Sequence, residues 1–272
     1  MSASERDQTM PDGHGHGHGH GHGDVVDVAA FLARFARRQA AGTTEFPGGF
    51  AVRDPAYARS WEHNQVVVDG ATDPELLVDR VDALLDGLGH RMVTVLSDPL
   101  GERCAPLLTA AGYRQGAVVV MIHRGARPGA APTVEELDLD ALRPALLRQE
   151  RAFWPDADEE TWHHLVERRT ARLRGADEVR FLAARAEDGS PAAWIDLYRD
   201  RATGIAQLED LVTAVPHRGR GHATSVLTTA LHRAADARLV FLLADADDWP
   251  RQWYARRGFE TAGRMHVFTR QS

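Results

Sequence analysis

The sequence predicts an α/β chain (of the α+β kind) made of two tandem copies of one fold, each a mixed, mostly antiparallel sheet flanked by helices. Three observations predict it. A succession of strand, helix, strand, helix, glycine, aromatic, strand occupies 65–123 and returns at 208–268, and self-similarity on that scale fixes architecture before any local reading does. Between the two runs lies 126–133, Ala-Arg-Pro-Gly-Ala-Ala-Pro-Thr, whose composition suits a connecting segment. The 272 residues are 43% hydrophobic, enough for each half to bury a core of its own. The expected division is a tail at 1–23, a first domain at 24–125, a linker at 126–133 and a second domain at 134–272.

The tail holds an alternating Gly/His run with His14, His16, His18, His20 and His22. Glycine at every second position keeps such a run irregular, and imidazoles in it can bind divalent metals; a tail without function is the competing reading. Order should begin near Asp24. Asp27 can cap a helix to about Ala41, with Val28, Phe31, Leu32 and Phe35 at helical spacing. Strands follow over EFPGGFAV and WEHNQVVVD. Pro74 opens a helix carrying Leu77, Val81, Leu84 and Leu88. A strand at 92–96, a helix at 101–111, the breaker Gly112 and a strand at 117–123 complete the first half.

The second half opens with a short strand at 134–137 and a helix at 140–153. A further helix covers 159–173, capped by Asp158 or Asp156. Three strands, 179–185, 192–198 and 205–212, are joined by Asp188-Gly189 and Thr203-Gly204, dipeptides suited to antiparallel hairpins. A helix at 219–235, a wholly apolar strand at 239–243 of the kind buried on both faces, a helix at 249–256, Gly258 and a last strand to Phe268 end the chain.

Composition narrows the function. The 32 basic residues are outnumbered by 39 acidic ones and are scattered, so no electrostatic footprint for nucleic acid is present. A lone cysteine, Cys104, excludes an internal disulfide. No apolar run reaches membrane-spanning length, and no apolar secretory segment stands near residue 1. A cytoplasmic protein is expected, with homodimer formation left open.

The chemistry concentrates where a strand ends near Thr213 and Arg218-Gly219-Arg220-Gly221-His222-Ala223 opens a helix. Glycines let backbone approach a ligand. Unpaired N–H groups at a helix start, with the positive end of its dipole, suit a pyrophosphate, and Arg218 and Arg220 can add charge-assisted bonds. Glu209 and Asp210 are neighbours on the preceding strand and should face opposite ways.

This segment resembles the acetyl-CoA loop of the GNAT superfamily of N-acetyltransferases, Arg/Gln-x-x-Gly-x-Gly/Ala, at Arg218, Gly221 and Ala223. Asp247, Tyr254, Gly258 and Phe259 resemble a second region of that family, Asn-x₆-Tyr-x₃-Gly-Phe, with aspartate in place of asparagine. The resemblance implies acetyl-CoA as cosubstrate. Leu211, Val212 and Thr213 would bind its pantetheine arm, and Arg218, Gly219, Arg220, Gly221, His222, Ala223 and Asp247 would complete the cofactor site. It implies transfer to an amine by direct attack, with Tyr254 protonating the leaving thiolate and Glu209 as a general base, and no required metal. Asp196 is a candidate contact for a cationic acceptor. The first half lacks the glycine loop and places Asp69, Asp73 and Glu75 there instead, so it resembles a degenerate GNAT copy. The alternative is a non-catalytic CoA-binding sensor or partner-binding module with a metal-binding histidine tail.

Overall fold

A computed structural model describes residues 18–130, 132 and 134–271. The first half runs α1 (His18–Gln39), β1 (Gly42–Phe46), β2 (Gly49–Arg53), β3 (Gln65–Val68), α2 (Leu77–Leu84), β4 (His90–Val95), α3 (Asp98–Ala110) and β5 (Arg114–His123). The second runs β6 (Glu135–Leu137), α4 (Leu139–Phe153), α5 (Glu159–Glu167), α6 (Arg169–Arg172), β7 (Glu178–Arg185), β8 (Pro191–Asp200), β9 (Ile205–Thr213), α7 (His222–Arg233), β10 (Leu239–Asp245), α8 (Pro250–Ala255) and β11 (Phe259–Gln271).

These strands join in one sheet, ordered β1-β2-β3-β4-β11-β5-β10-β9-β8-β7-β6. The two halves therefore share a sheet and exchange their last strands. β5, from the first half, lies against β10, and β11, from the second, lies against β4; β5 and β11 pair antiparallel between them. The segment at 126–133 joins the halves along the chain, yet neither half completes its own sheet. Each half contributes one parallel pair, β3 with β4 and β9 with β10, and each exchanged strand lies antiparallel to the pair beside it. The order reads the same from either edge of this central region.

Helices cover both faces. On one, α1 lays Val28, Phe31 and Phe35 over Val120, Phe241 and Tyr198, so it packs on both halves at once; the Phe35 and Tyr198 rings stack at 4.7 Å. Beside it, Leu142, Leu146 and Val166 of α4 and α5 cover Phe181 and Trp194. On the opposite face Val226, Leu227 and Ala230 of α7 cover β7 to β10, and α2 and α3 cover β3 and β4 through Leu77, Val81 and Leu108. Emptying a site such as Phe31 or Phe35 costs about 3–5 kcal/mol.

Three local expectations need correction. Helix α1 starts at His18 rather than Asp27, so the end of the presumed irregular tail is helical. Once Val28, Phe31 and Phe35 are packed, extending the helix towards its N-terminus costs only propensity, about 1 kcal/mol per glycine. His14 and His16 lie outside the described residues. Trp61–His63 is a 3₁₀ turn rather than part of a strand. Asn64 pins it: its amide donates to Tyr57 O (2.9 Å) and Ser60 O (3.0 Å), and its carbonyl accepts from Asp54 N (3.0 Å). The helix expected across 159–173 is broken at Arg168 into α5 and α6. Among the described residues, no helix is long and apolar enough to cross a membrane.

Candidate active site

Strands β9 and β10 begin paired and then part. Their parallel register runs from Leu239↔Ile205 to Leu242↔Leu208 and stops, although β9 continues to Thr213 and β10 to Asp245. From Glu209 onward, that edge of β9 has no strand partner among the described residues, while its other edge still pairs with β8 as far as Ala193↔Thr213. The opening leads to the start of α7, where Gly219 (φ 76°) and Gly221 (φ 86°) adopt left-handed conformations that suit glycine. Gly221 caps α7 without a side-chain hydrogen bond, so the first N–H groups of the helix point outward with the positive dipole end.

Together these features wall a cleft of about 630 Å³. Leu211, Val212, Thr213, Arg218, Gly219, Gly221, His222, Ala223 and Tyr254, all expected from the sequence, line it. Arg220, Asp247 and the expected base Glu209 do not. Asp247 instead donates its backbone N–H to Asp245 (3.0 Å), and the neighbouring Asp248 reaches the cleft. Asp247 thus lies outside the cleft lining, and its neighbour Asp248 lies within it.

Several lining residues gave no signal in sequence. Arg257 stacks its guanidinium over Trp253 at 3.6 Å and donates to Thr224 Oγ1 at 3.1 Å, which sets a cation beside the first turn of α7. Phe153 and Trp249 are exposed large apolar side chains at the cleft rim. A Gly-x-Gly pattern cannot reveal such partners, because they come from the end of α4 and from the segments flanking α8.

Glu209 and Asp210 do not face opposite ways. Asp210 has φ 51°, the one positive value outside glycine among the described residues. The β8–β9 register slips between Trp194↔Val212 and Asp196↔Glu209, so two β9 residues oppose Ile195. This bulge turns both carboxylates towards α6. Asp210 accepts from Arg169 (2.6 Å) and Arg172 (2.5 Å). Burial opposes its charge, but Arg172 and Arg169 hold it well below the ordinary aspartate range. Glu209 accepts from Gln207 (2.5 Å), and burial together with the Asp210 charge pushes its carboxyl up to about 8.

Asp196 is fully buried. Its carboxylate accepts from Tyr198 (2.8 Å) and Arg169 (3.3 Å), while burial pushes its pKa up. It supports the arginines and does not meet an acceptor, which corrects the expectation drawn from its charge. Tyr254 packs edge-on against Trp253 and Phe259. Burial, then the Glu209 and Asp210 charges, raise its phenol above the usual range, so it stays protonated at neutral pH.

Away from the cleft, Asp98, Glu102 and His266 cluster. Both His266 nitrogens are already engaged, Nε2 with Asp98 (2.7 Å) and Nδ1 with Gln115 (3.0 Å), so the group stands as a hydrogen-bonded link joining α3 to β11.

Residues 139–259 match the model of the acetyltransferase (GNAT) family. They form a GNAT domain. Its glycine loop, parted strands and Tyr254 all lie within that span. A GCN5-related N-acetyltransferase from Kribbella flavida is similar over 90% of this chain and 95% of its own, with a TM-score of 0.60 and 15% identity. A functionally unknown conserved protein from Staphylococcus epidermidis is similar over 84% and 93%, with a TM-score of 0.65 and 13% identity. A tandem GNAT protein from the clavulanic acid biosynthesis pathway is similar over 92% and 95%, with a TM-score of 0.54 and 15% identity. At such identities the likeness is one of fold. No curated protein sequence matches the chain.

Proposed function

We propose that the protein transfers an acetyl group from acetyl-CoA to the amine of a small molecule or peptide. The observation that carries this reading is the continuity of the parted edge of β9 with the open start of α7. A pantetheine arm needs backbone groups free of a sheet partner, and a pyrophosphate needs unpaired N–H donors. The cleft offers both in one line, with Arg218 and Arg257 beside the phosphate end.

In this reading the amine attacks the thioester carbonyl carbon, forming the amide bond as the carbon–sulfur bond breaks. A β9 N–H near Leu211–Thr213 meets the charge that develops on the carbonyl oxygen. Glu209 takes the proton the amine must lose, and Tyr254 supplies one to the departing thiolate. Neither step calls on a metal. Acidic groups outnumber basic ones by 39 to 32, which disfavours a nucleic-acid partner, and the lone cysteine together with the lack of a spanning helix among the described residues fits work in the cytoplasm.

Calorimetry with acetyl-CoA, followed by thiol release across a panel of amines, tests the proposal. Binding with amine-dependent thiol release supports it. Binding without release from any amine would favour a CoA sensor, and absence of binding would remove both readings.

A further inference from the structure

The turn Trp61–His63 of the first half reaches into the charge cluster behind β9. Glu62 accepts from Arg168 Nη1 (3.0 Å) and from Arg172 Nη2 (3.1 Å), while Arg172 Nη1 lies 2.5 Å from Asp210. Arg172 is thus shared between a carboxylate of the first half and one of the second. Ser60 adds a second link, accepting from Arg168 (3.2 Å) and meeting His63 Nδ1 (3.1 Å).

The charged groups around Glu209 come from every neighbouring element. Strand β9 supplies Asp210, β8 supplies Asp196 and Tyr198, and α4 supplies Glu150. The residues Arg168, Arg169 and Arg172 supply the cations, α8 supplies Tyr254, and the first-half turn supplies Glu62 and His63. Burial pushes His63 down to about 3, so it stays neutral. Three arginines therefore face five carboxyl groups. Arg169 bonds Asp196 and Asp210, Arg172 bonds Asp210 and Glu62, and Arg168 bonds Glu62. Glu209, with Gln207 as its donor, draws on none of them directly.

We propose that Glu62 of the first half is a positioning residue for the proposed transfer site: by engaging Arg168 and Arg172 it withholds their positive charge from Glu209, and so keeps Glu209 able to take up and release a proton during turnover. The inference rests on the function proposed above. It gives the first half a working part in the site of the second. Glu62 touches no substrate; it acts through Arg172.

The test uses the full chain and Glu62→Gln, an isosteric change at a side chain 48% exposed that keeps an oxygen to accept from the arginines. Removing one negative charge lets the arginines act more strongly on Glu209, so its carboxyl should titrate lower. The acid limb of kcat/KM against pH is expected to move down by about 0.5–1 pH unit, and Glu62→Asp should return it towards the parent. Carbon-13 NMR of glutamate-labelled protein, with the Glu209 signal assigned through Glu209→Gln, follows the same titration without any turnover. A downward shift of that signal in Glu62→Gln supports the inference even if no amine is ever acetylated, in which case the proposed function fails alone. An unshifted signal and limb overturn it, even in an active transferase. A fall in kcat that is uniform across pH, with no movement of the limb, also overturns it, since a merely structural role would produce that.

Discussion

The two halves handle the end of their parallel pair in opposite ways. In the second, β9 leaves β10 after Leu208 and the helix beyond begins at an open Gly221. In the first, β3 stays paired to β4 through Val68↔Val95, and Leu96 N–H continues the ladder to Val68 O at 3.0 Å. The following loop then folds back on the β1–β2 turn, with Asp69 and Gly70 donating to Gly48 O at 3.2 and 3.1 Å. Asp73 caps the next helical turn by accepting from Glu75 N at 3.0 Å. One half spends its backbone donors on itself, although Thr72 and Asp73 still line a cavity of about 570 Å³; the other leaves its donors open to its cleft. A related topology thus leaves its backbone donors engaged or open, depending on whether a strand edge and a helix start are satisfied internally.

The sharpest break in this contrast is a charge placed in each loop. Gly221→Glu sets a carboxylate among the open N–H groups and should weaken acetyl-CoA binding by about 100-fold or more in calorimetry, whereas Thr72→Glu in the first-half loop should leave binding unchanged. Tyr254→Phe removes the proposed proton donor but little volume. It should lower kcat by about 100-fold, with acetyl-CoA affinity within about twofold of the parent.

Two glycines with one backbone angle refine the comparison further. Gly48 and Gly221 both have φ 86°, but a Cβ on Gly48 would lie 2.1 Å from Ala71 O, while one on Gly221 meets nothing within 4 Å. Gly48→Ala should destabilise by about 2–4 kcal/mol in urea titration, from backbone strain plus overpacking. Gly221→Ala should cost about 1–2 kcal/mol from strain alone and retain acetyl-CoA binding. The smallest effect is a displacement along the pH axis. Transfer needs Glu209 as a carboxylate, so kcat/KM should rise with pH, level off above about 8, and lose that limb in Glu209→Gln.

The legible parts of the fold were those written in local pattern. The strand, helix and glycine succession at 65–123 and 208–268 reads directly from apolar spacing and turn residues, and the loop from Arg218 to Ala223 declares itself by its glycines. Strand exchange was not legible, because the apolar residues of β5 and β11 suit burial whichever neighbour they pair with; only the three-dimensional register separates the two choices. The bulge at Asp210 was hidden too. Aspartate adopts left-handed backbone readily enough to give no local sign, and the strand parity that sent Glu209 and Asp210 to opposite faces fails at one such residue. Asp196 was misjudged for the opposite reason. A carboxylate on a central strand suggests a cationic ligand until Arg169, 27 positions away in the chain, is known to supply the cation.

The placement of β11 also bears on how the protein is made. Residues 259–271 fill the gap between β4 and β5, so the first half emerges from the ribosome with β4 and β5 both lacking their shared neighbour. Those edges stay open until residues 259–271 are released. A nascent chain halted anywhere in the second half presents two unpaired strands, a template for pairing with other chains. Release of β11 is then a condition for the first half to close its sheet.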